Sequence, residues 1–208
     1  MLETTQPETQ IQPESVTEQP ANWKRIALDI LETIVLAAVL YFGINAVSAR
    51  VRVDGFSMNP TLQDGEYILV NKLAYKTGEP VRGDIVVFMF PMNPQEDLIK
   101  RVIGLPGESI SVHGGIVTIN GAVLNEPYIA AAPNYDGEWT VPEGQLFVLG
   151  DNRNDSRDSH QWGLLPIENV IGRAVLIYWP PQEWLLINHA KQASTSQGFA
   201  VPESWSVK

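Results

Sequence analysis

Hydrophobic and polar positions follow three different rhythms along the chain. Residues 1–22 have no apolar period: Glu3, Glu8, Glu14 and Glu18 stand among Thr, Gln and Pro, with no Lys or Arg. Such a segment has no apolar face whose burial could offset its ordering entropy, so a disordered acidic tail is expected. After Trp23-Lys24-Arg25 an oily run extends from Ile26 to Ser48, broken only by Asp29 and Glu32. As a helix the run would be about 34 Å long and its uncharged part, Thr33–Ala49, about 25 Å, against a hydrocarbon core of roughly 30 Å. Lys24 and Arg25 before it are matched by Arg50 and Arg52 after it, so basic residues do not set its orientation.

Three readings compete for this run. A buried core helix would have to be apolar on nearly every face. A cleaved signal peptide is suggested by the small residues of Val47-Ser48-Ala49, but the region before the run is long and mostly acidic. The expectation is a retained transmembrane anchor over 23–49.

Past Ala49 the rhythm changes to short β-like runs. Val51–Phe56 alternates in its first half, while Tyr67–Asn71 and Ile85–Phe90 are continuous runs rich in β-branched and aromatic residues. Ile110–Val112 meets Gly114-Gly115, and Ile116–Ile119 meets Asn120-Gly121 before Ala122–Leu124. An Asn-Gly pair between apolar runs predicts a two-residue hairpin. Gln145–Leu149 and Val170–Trp179 complete the set, and no stretch beyond residue 50 holds a helical period for three turns. A mostly β, antiparallel domain over 50–190 is expected, followed by a loose tail over 191–208.

Composition then narrows the function classes. The chain has 208 residues, a net charge of −10, 44% hydrophobic residues and no cysteine. Acidity argues against nucleic acid as a partner, because that needs a basic surface to displace counterions. The lack of cysteine removes disulfides, thiolate metal sites and a Cys nucleophile. The loop Asp151–Ser156 has a calcium-loop look, but Arg153 stands at a ligand position and the turn glycine is missing. No metal and no cofactor are expected.

Ser, Thr, Lys and carboxylates remain as nucleophiles. Of the histidines, His113 precedes a Gly-Gly turn, His189 lies near the loose tail, and only His160 sits in a loop dense in charge. Ser57 stands where a strand runs into the turn Met58-Asn59-Pro60. On Asp97–Gly104, strand alternation puts Leu98, Lys100 and Val102 on one face and Ile99, Arg101 and Ile103 on the other. One cation must then face apolar neighbours, and a desolvated Lys tends to lose its proton. A snorkelling Lys on an edge strand is the plainer alternative. Arg82-Gly83-Asp84 reads as a tight turn, and Gly150–Ser159 as a polar loop straight after an apolar strand.

Five motifs in order carry a resemblance. Ser-Met-x-Pro-Thr-Leu at Ser57–Leu62, Tyr-Ile-x-Val-x-Lys at Tyr67–Lys72 and Arg-Gly-Asp-Ile-Val-Val-Phe at Arg82–Phe88 come first. Lys-Arg-Val-Ile-Gly-Leu-Pro-Gly-Glu at Lys100–Glu108 and Gly-Asp-Asn-Arg-x-x-Ser-x-Asp-Ser at Gly150–Ser159 follow. Over about residues 25–180 the chain resembles the type I signal peptidases. The resemblance implies a membrane-anchored serine protease of β fold, with a compact second subdomain at about 109–144. In it Ser57 is the nucleophile, Lys100 the general base, and Ser156 the serine that orients the lysine, with Ser159 as fallback. Asp158 is expected to hold its loop by pairing with Arg153. Where some members carry a hydroxyl for the oxyanion, this chain has Gly55, so the Ser57 N–H needs another donor. His160 stands where some members have Arg.

The implied partners are signal-peptide-bearing precursors and the lipid bilayer, with a substrate strand lying beside Val51–Phe56 and Asp97–Lys100. Val53, Met58, Leu62, Leu98 and Ile99 are expected to line shallow pockets for small side chains. The implied location is the cell membrane, catalytic domain outside, or a thylakoid-type membrane. Two rivals are a self-cleaving repressor-like peptidase, ill-served by this front end, and an inactive tethered β domain that binds exported chains.

Overall fold

The structure, a computed structural model, describes residues 23–187. The acidic tail, the tail from 191 and His189 lie outside the described residues. The chain divides into two units at Phe42/Gly43. Helix α1 (Trp23–Val47) has 25 residues, none of them buried, and is long and apolar enough to cross a bilayer.

Strand β1 (Ser48–Arg52) follows α1 at once and pairs antiparallel with β2 (Tyr67–Asn71), from Ser48↔Asn71 to Arg52↔Tyr67. The strand expected at Val51–Phe56 therefore starts three residues earlier and stops at Arg52. Beyond it the chain turns: Val53 N donates to Glu66 O, Gly65 N donates to Val53 O, and Gly55 takes φ +94°. A residue with a Cβ is strained in that left-handed conformation, which explains the glycine without reference to chemistry.

The remaining strands are β3 (Ile85–Phe90), β4 (Asn93–Gly104), β5 (Ser109–His113), β6 (Ile116–Ile119), β7 (Ala122–Val123) and β8 (Gly137–Thr140). They are followed by β9 (Gln145–Leu149), the one-turn helix α2 (Ser159–Trp162), β10 (Leu165–Pro166), β11 (Val170–Trp179) and β12 (Leu185–Leu186). A larger sheet runs β1-β2-β11-β3-β4-β9-β10, with β12 added on β11, and a smaller one runs β7-β6-β5-β8. Every pairing is antiparallel. The Asn-Gly hairpin forms as expected, with Asn120 at φ 51° and Gly121 at φ 80°.

Two packing facts position the site. Ile110, Val112 and Val117 of the smaller sheet share a core with Ile103, Phe147 and Leu149, which seats that sheet on β4 and β9. Gly104 permits the approach, since a Cβ there would collide with Ile110. Strand β4 is also paired unevenly. It meets β3 from Asp97 to Arg101 but meets β9 only from Arg101 onward, so no described strand pairs with the other edge of Asp97–Lys100.

Candidate active site

Ser57 sits in the turn that leaves β1. Asn59 N donates to Phe56 O at 3.1 Å and Leu62 N to Met58 O at 2.9 Å, which winds residues 56–62 tightly. Met58 and Leu62 anchor this winding in the core, at 1% and 0% exposure. The Ser57 hydroxyl is left facing β4.

Lys100 reaches it from β4. Its Nζ lies 2.8 Å from Ser57 Oγ and 2.8 Å from Ile99 O, with the side chain 3% exposed. Among the described residues no carboxylate hydrogen-bonds it. Burial brings its pKa down from the ordinary 10.5 to about 8; Asp158, Asp151 and Glu96 oppose that fall and Arg157 adds to it. A neutral amine can accept the Ser57 Oγ–H, whereas an ammonium can only donate.

The next residue meets the same burial with a partner. Arg101, 1% exposed, donates from Nε to Asp151 Oδ1 at 2.8 Å and from Nη2 to Asp151 Oδ2 at 2.6 Å. Gly83 O accepts from its Nη1 at 3.0 Å, and the Tyr128 ring lies 4.0 Å from its guanidinium carbon. Both cations of β4 are thus buried, rather than one of the two.

The loop after β9 closes over the pair. Asp158, wholly buried, accepts from Gly150 N at 2.9 Å and from His160 N at 3.3 Å, capping α2, and lies 2.6 Å from His160 Nδ1. Since a carboxylate accepts, Nδ1 carries the proton of that contact. His160 also stacks on Tyr135 with ring centres 3.9 Å apart. Arg153 does not pair with Asp158. Its guanidinium takes both oxygens of Glu126, with Nη1 2.7 Å from Oε2, and its Nε donates to Gly150 O at 3.1 Å. Asp158 has its oxygens committed to the backbone and to His160, which frees Arg153 for the bidentate partner that the β7–β8 connection supplies.

Other expected residues fall differently. Ser156 is buried against Gly150, where a Cβ would collide with its Oγ and with Ser57 O, yet its Oγ has no hydrogen-bond partner among the described residues. Lys100 bends instead toward Ser57 and Ile99 O. The fallback Ser159 is spent on the backbone, accepting from Val148 N at 3.0 Å. Val53, Met58, Leu62 and Ile99 lie together in the main core, whereas Leu98 packs in another cluster with Val86, Phe88 and Val102. They do not form one open pocket: closing the sheet over an apolar interior needs those side chains inside. Large Phe56, beside Ser57, is 57% exposed instead. Nothing local in the sequence marks Glu126 and Tyr128, since the arginines they meet, Arg153 and Arg101, each lie 27 residues away.

Residues 27–179 match the family described as "Signal peptidase, peptidase S26". The chain is 41% identical to a "Probable signal peptidase I-2" of Synechocystis, over 86% of this chain and 84% of that protein. It is 44% identical to a "Signal peptidase I" of Leptolyngbya laminosa, over 81% of this chain and 89% of the relative. A "Probable thylakoidal processing peptidase 2, chloroplastic" of Arabidopsis thaliana is 37% identical over 76% of this chain and 45% of its own length.

Proposed function

This chain belongs to the signal peptidase family, peptidase S26, and within that family's removal of signal peptides from exported proteins we propose that Ser57 is its nucleophile and Lys100 its general base. The observation that carries the proposal is a buried lysine, with a pKa near 8, lying 2.8 Å from a serine hydroxyl. Neutral Lys100 takes the Oγ proton as Ser57 attacks the scissile carbonyl. The resulting ammonium hands that proton to the departing amine, the new N-terminus of the mature protein, leaving an acyl-enzyme on Ser57. Lys100, neutral again, deprotonates a water that releases the signal peptide's carboxylate. Negative charge on the tetrahedral oxygen is met by the Ser57 N–H.

The edge of β4 left unpaired by the described strands at Asp97–Lys100 supports a substrate lying as an added strand, its backbone hydrogen-bonded beside the dyad. Small residues at the cut fit a site whose nearby apolar groups are already packed into the core.

The protein is membrane-anchored through α1. We read the anchor as retained, because Ser48 and Ala49 are paired with Asn71 and Val70 and a cut after Ala49 would remove two of the five residues of β1. The catalytic domain then faces the extracytoplasmic side of the cell membrane or of a thylakoid-type membrane, where precursors emerge. Protease protection in sealed vesicles reads that orientation. The chemistry is tested with the full chain in vesicles and a secretory precursor. Wild type releases the mature protein, and Ser57→Ala and Lys100→Met do not; release by both variants would sink the dyad.

A further inference from the structure

One loop residue grips the nucleophile's backbone at two points and has no role in the dyad chemistry. The backbone N–H of Asn152 donates to Ser57 O at 3.0 Å. Its side-chain Nδ2 donates to Phe56 O at 3.2 Å; a carbonyl only accepts, so it is the amide nitrogen that faces it. These two carbonyls belong to the peptide units on either side of the Ser57 Cα.

The Phe56–Ser57 bond is trans, the cis bonds among the described residues being Asn59–Pro60 and Trp179–Pro180. In a trans peptide the N–H points away from the C=O. Asn152 Nδ2 and Asn59 N therefore hold the carbonyl end of the unit whose other end is the Ser57 N–H. Two donors on one carbonyl polarise the peptide and strengthen its N–H as a donor. They also fix the plane in which that N–H lies, and an oxyanion donor is effective to the extent that it is fixed in advance.

We propose that Asn152 is a positioning residue for the oxyanion-binding N–H of Ser57, and that the β7–β8 connection braces the loop that carries it. The proposal rests on Ser57 being the nucleophile. The bracing begins at the next two residues. Arg153 is taken by Glu126, Asn154 Nδ2 donates to Ala132 O at 3.0 Å, and Asn134 N donates to Asn154 Oδ1 at 2.9 Å. Asn152 thus faces the nucleophile while Arg153 and Asn154 face the connection. The smaller sheet, which holds no dyad residue, acquires a function through this loop.

The test uses the full chain in vesicles: wild type, Ser57→Ala, Asn152→Ala, Asn152→Asp and Glu126→Gln. Precursor cleavage gives kcat and KM, and a peptide aldehyde, whose adduct with a serine carries the tetrahedral oxygen, gives an affinity for that geometry. Asn152→Ala keeps the backbone bond to Ser57 O, so its melting temperature should stay near wild type. Its kcat is expected to fall about 10- to 100-fold, less than for loss of a direct oxyanion donor, with KM within about twofold. Aldehyde affinity should fall by the same factor. Asn152→Asp should lose more, because an acceptor then faces the Phe56 carbonyl, and Glu126→Gln should show the same kcat-only signature, more weakly. Unchanged kcat and aldehyde affinity in Asn152→Ala would overturn the proposal, as would a raised KM with unchanged kcat. Should Asn152→Ala not fold, Asn152→Ser is read by the same criteria. A wild type that does not cleave, or a Ser57→Ala that does, would overturn the protease reading and this proposal together; the Asn152 outcomes overturn this one alone.

Discussion

Lys100 and Arg101 are neighbours on β4, equally stripped of water, and the surroundings of the two resolve that cost in opposite ways. On the Arg101 side Asp151 is waiting with both oxygens, and Thr61 Oγ1 donates to the same carboxylate at 2.5 Å. On the Lys100 side there are a hydroxyl and a carbonyl, and the carboxylates act only from a distance. A guanidinium in a protein does not give up its proton, so Arg101 has to be paired. An ammonium can be discharged, and here burial pushes it that way. One cation is a strut between β4 and the loop after β9; the other is the base that we propose.

The largest effect should follow from making the two neighbours alike. Lys100→Arg puts a permanent cation beside Ser57 and is expected to cost about 10⁴-fold or more in precursor turnover, as does losing the base of other serine enzymes. A variant within tenfold of wild type would mean that no proton is lost at this position.

Next comes the strut. Asp151→Asn leaves Arg101 buried without its charge partner and should lower stability by about 3–5 kcal/mol, read by denaturant unfolding in detergent. Replacing both partners, Arg101→Met with Asp151→Leu, should recover most of that loss.

A subtler contrast is the pH dependence of stability. Folding lowers the Lys100 pKa from 10.5 to about 8, so between those values the unfolded chain binds more protons than the native one. Stability from this residue therefore rises as pH climbs from 8 to 10.5, and below pH 8 the full penalty of about 3 kcal/mol applies. Lys100→Met should remove that slope and unfold at higher denaturant than wild type at pH 7. Equal slopes in the two proteins would show Lys100 charged in the native state.

The smallest effect concerns the half-exposed Arg157, which pairs with Glu96 and lies 4.7 Å from the Phe90 ring centre. Its charge favours neutral Lys100, so Arg157→Gln should move the rising limb of activity to higher pH.

Much of the large sheet was legible in the chain. Tyr67–Asn71, Ile85–Phe90, Gln145–Leu149 and Val170–Trp179 read as strands because continuous β-branched and aromatic runs need burial on both faces. Strand β8 was not legible: Gly137–Thr140 is four residues with alternating but modest burial, and its partner Val112 lies 25 residues back. The Ser57–Lys100 pair came from motif resemblance, since nothing local brings residues 43 apart in sequence together. Asp158 was legible as a loop-holding acid, but its partner was not. Arg153 and Glu126 are 27 residues apart, and only the seating of the smaller sheet makes them neighbours. His160, of open role in the sequence, proves to be that partner of Asp158, two residues on in the helix that Asp158 caps.

The proposed neutral base at Lys100 is read from the pH dependence of kcat/KM for precursor cleavage by the full chain in vesicles. That ratio reports the ionisation of the free enzyme. A neutral Lys100 should give a limb rising with an apparent pKa of about 8, the value that burial gives the residue. A limb near the unperturbed lysine value of about 10.4, or activity flat across this range, would contradict it.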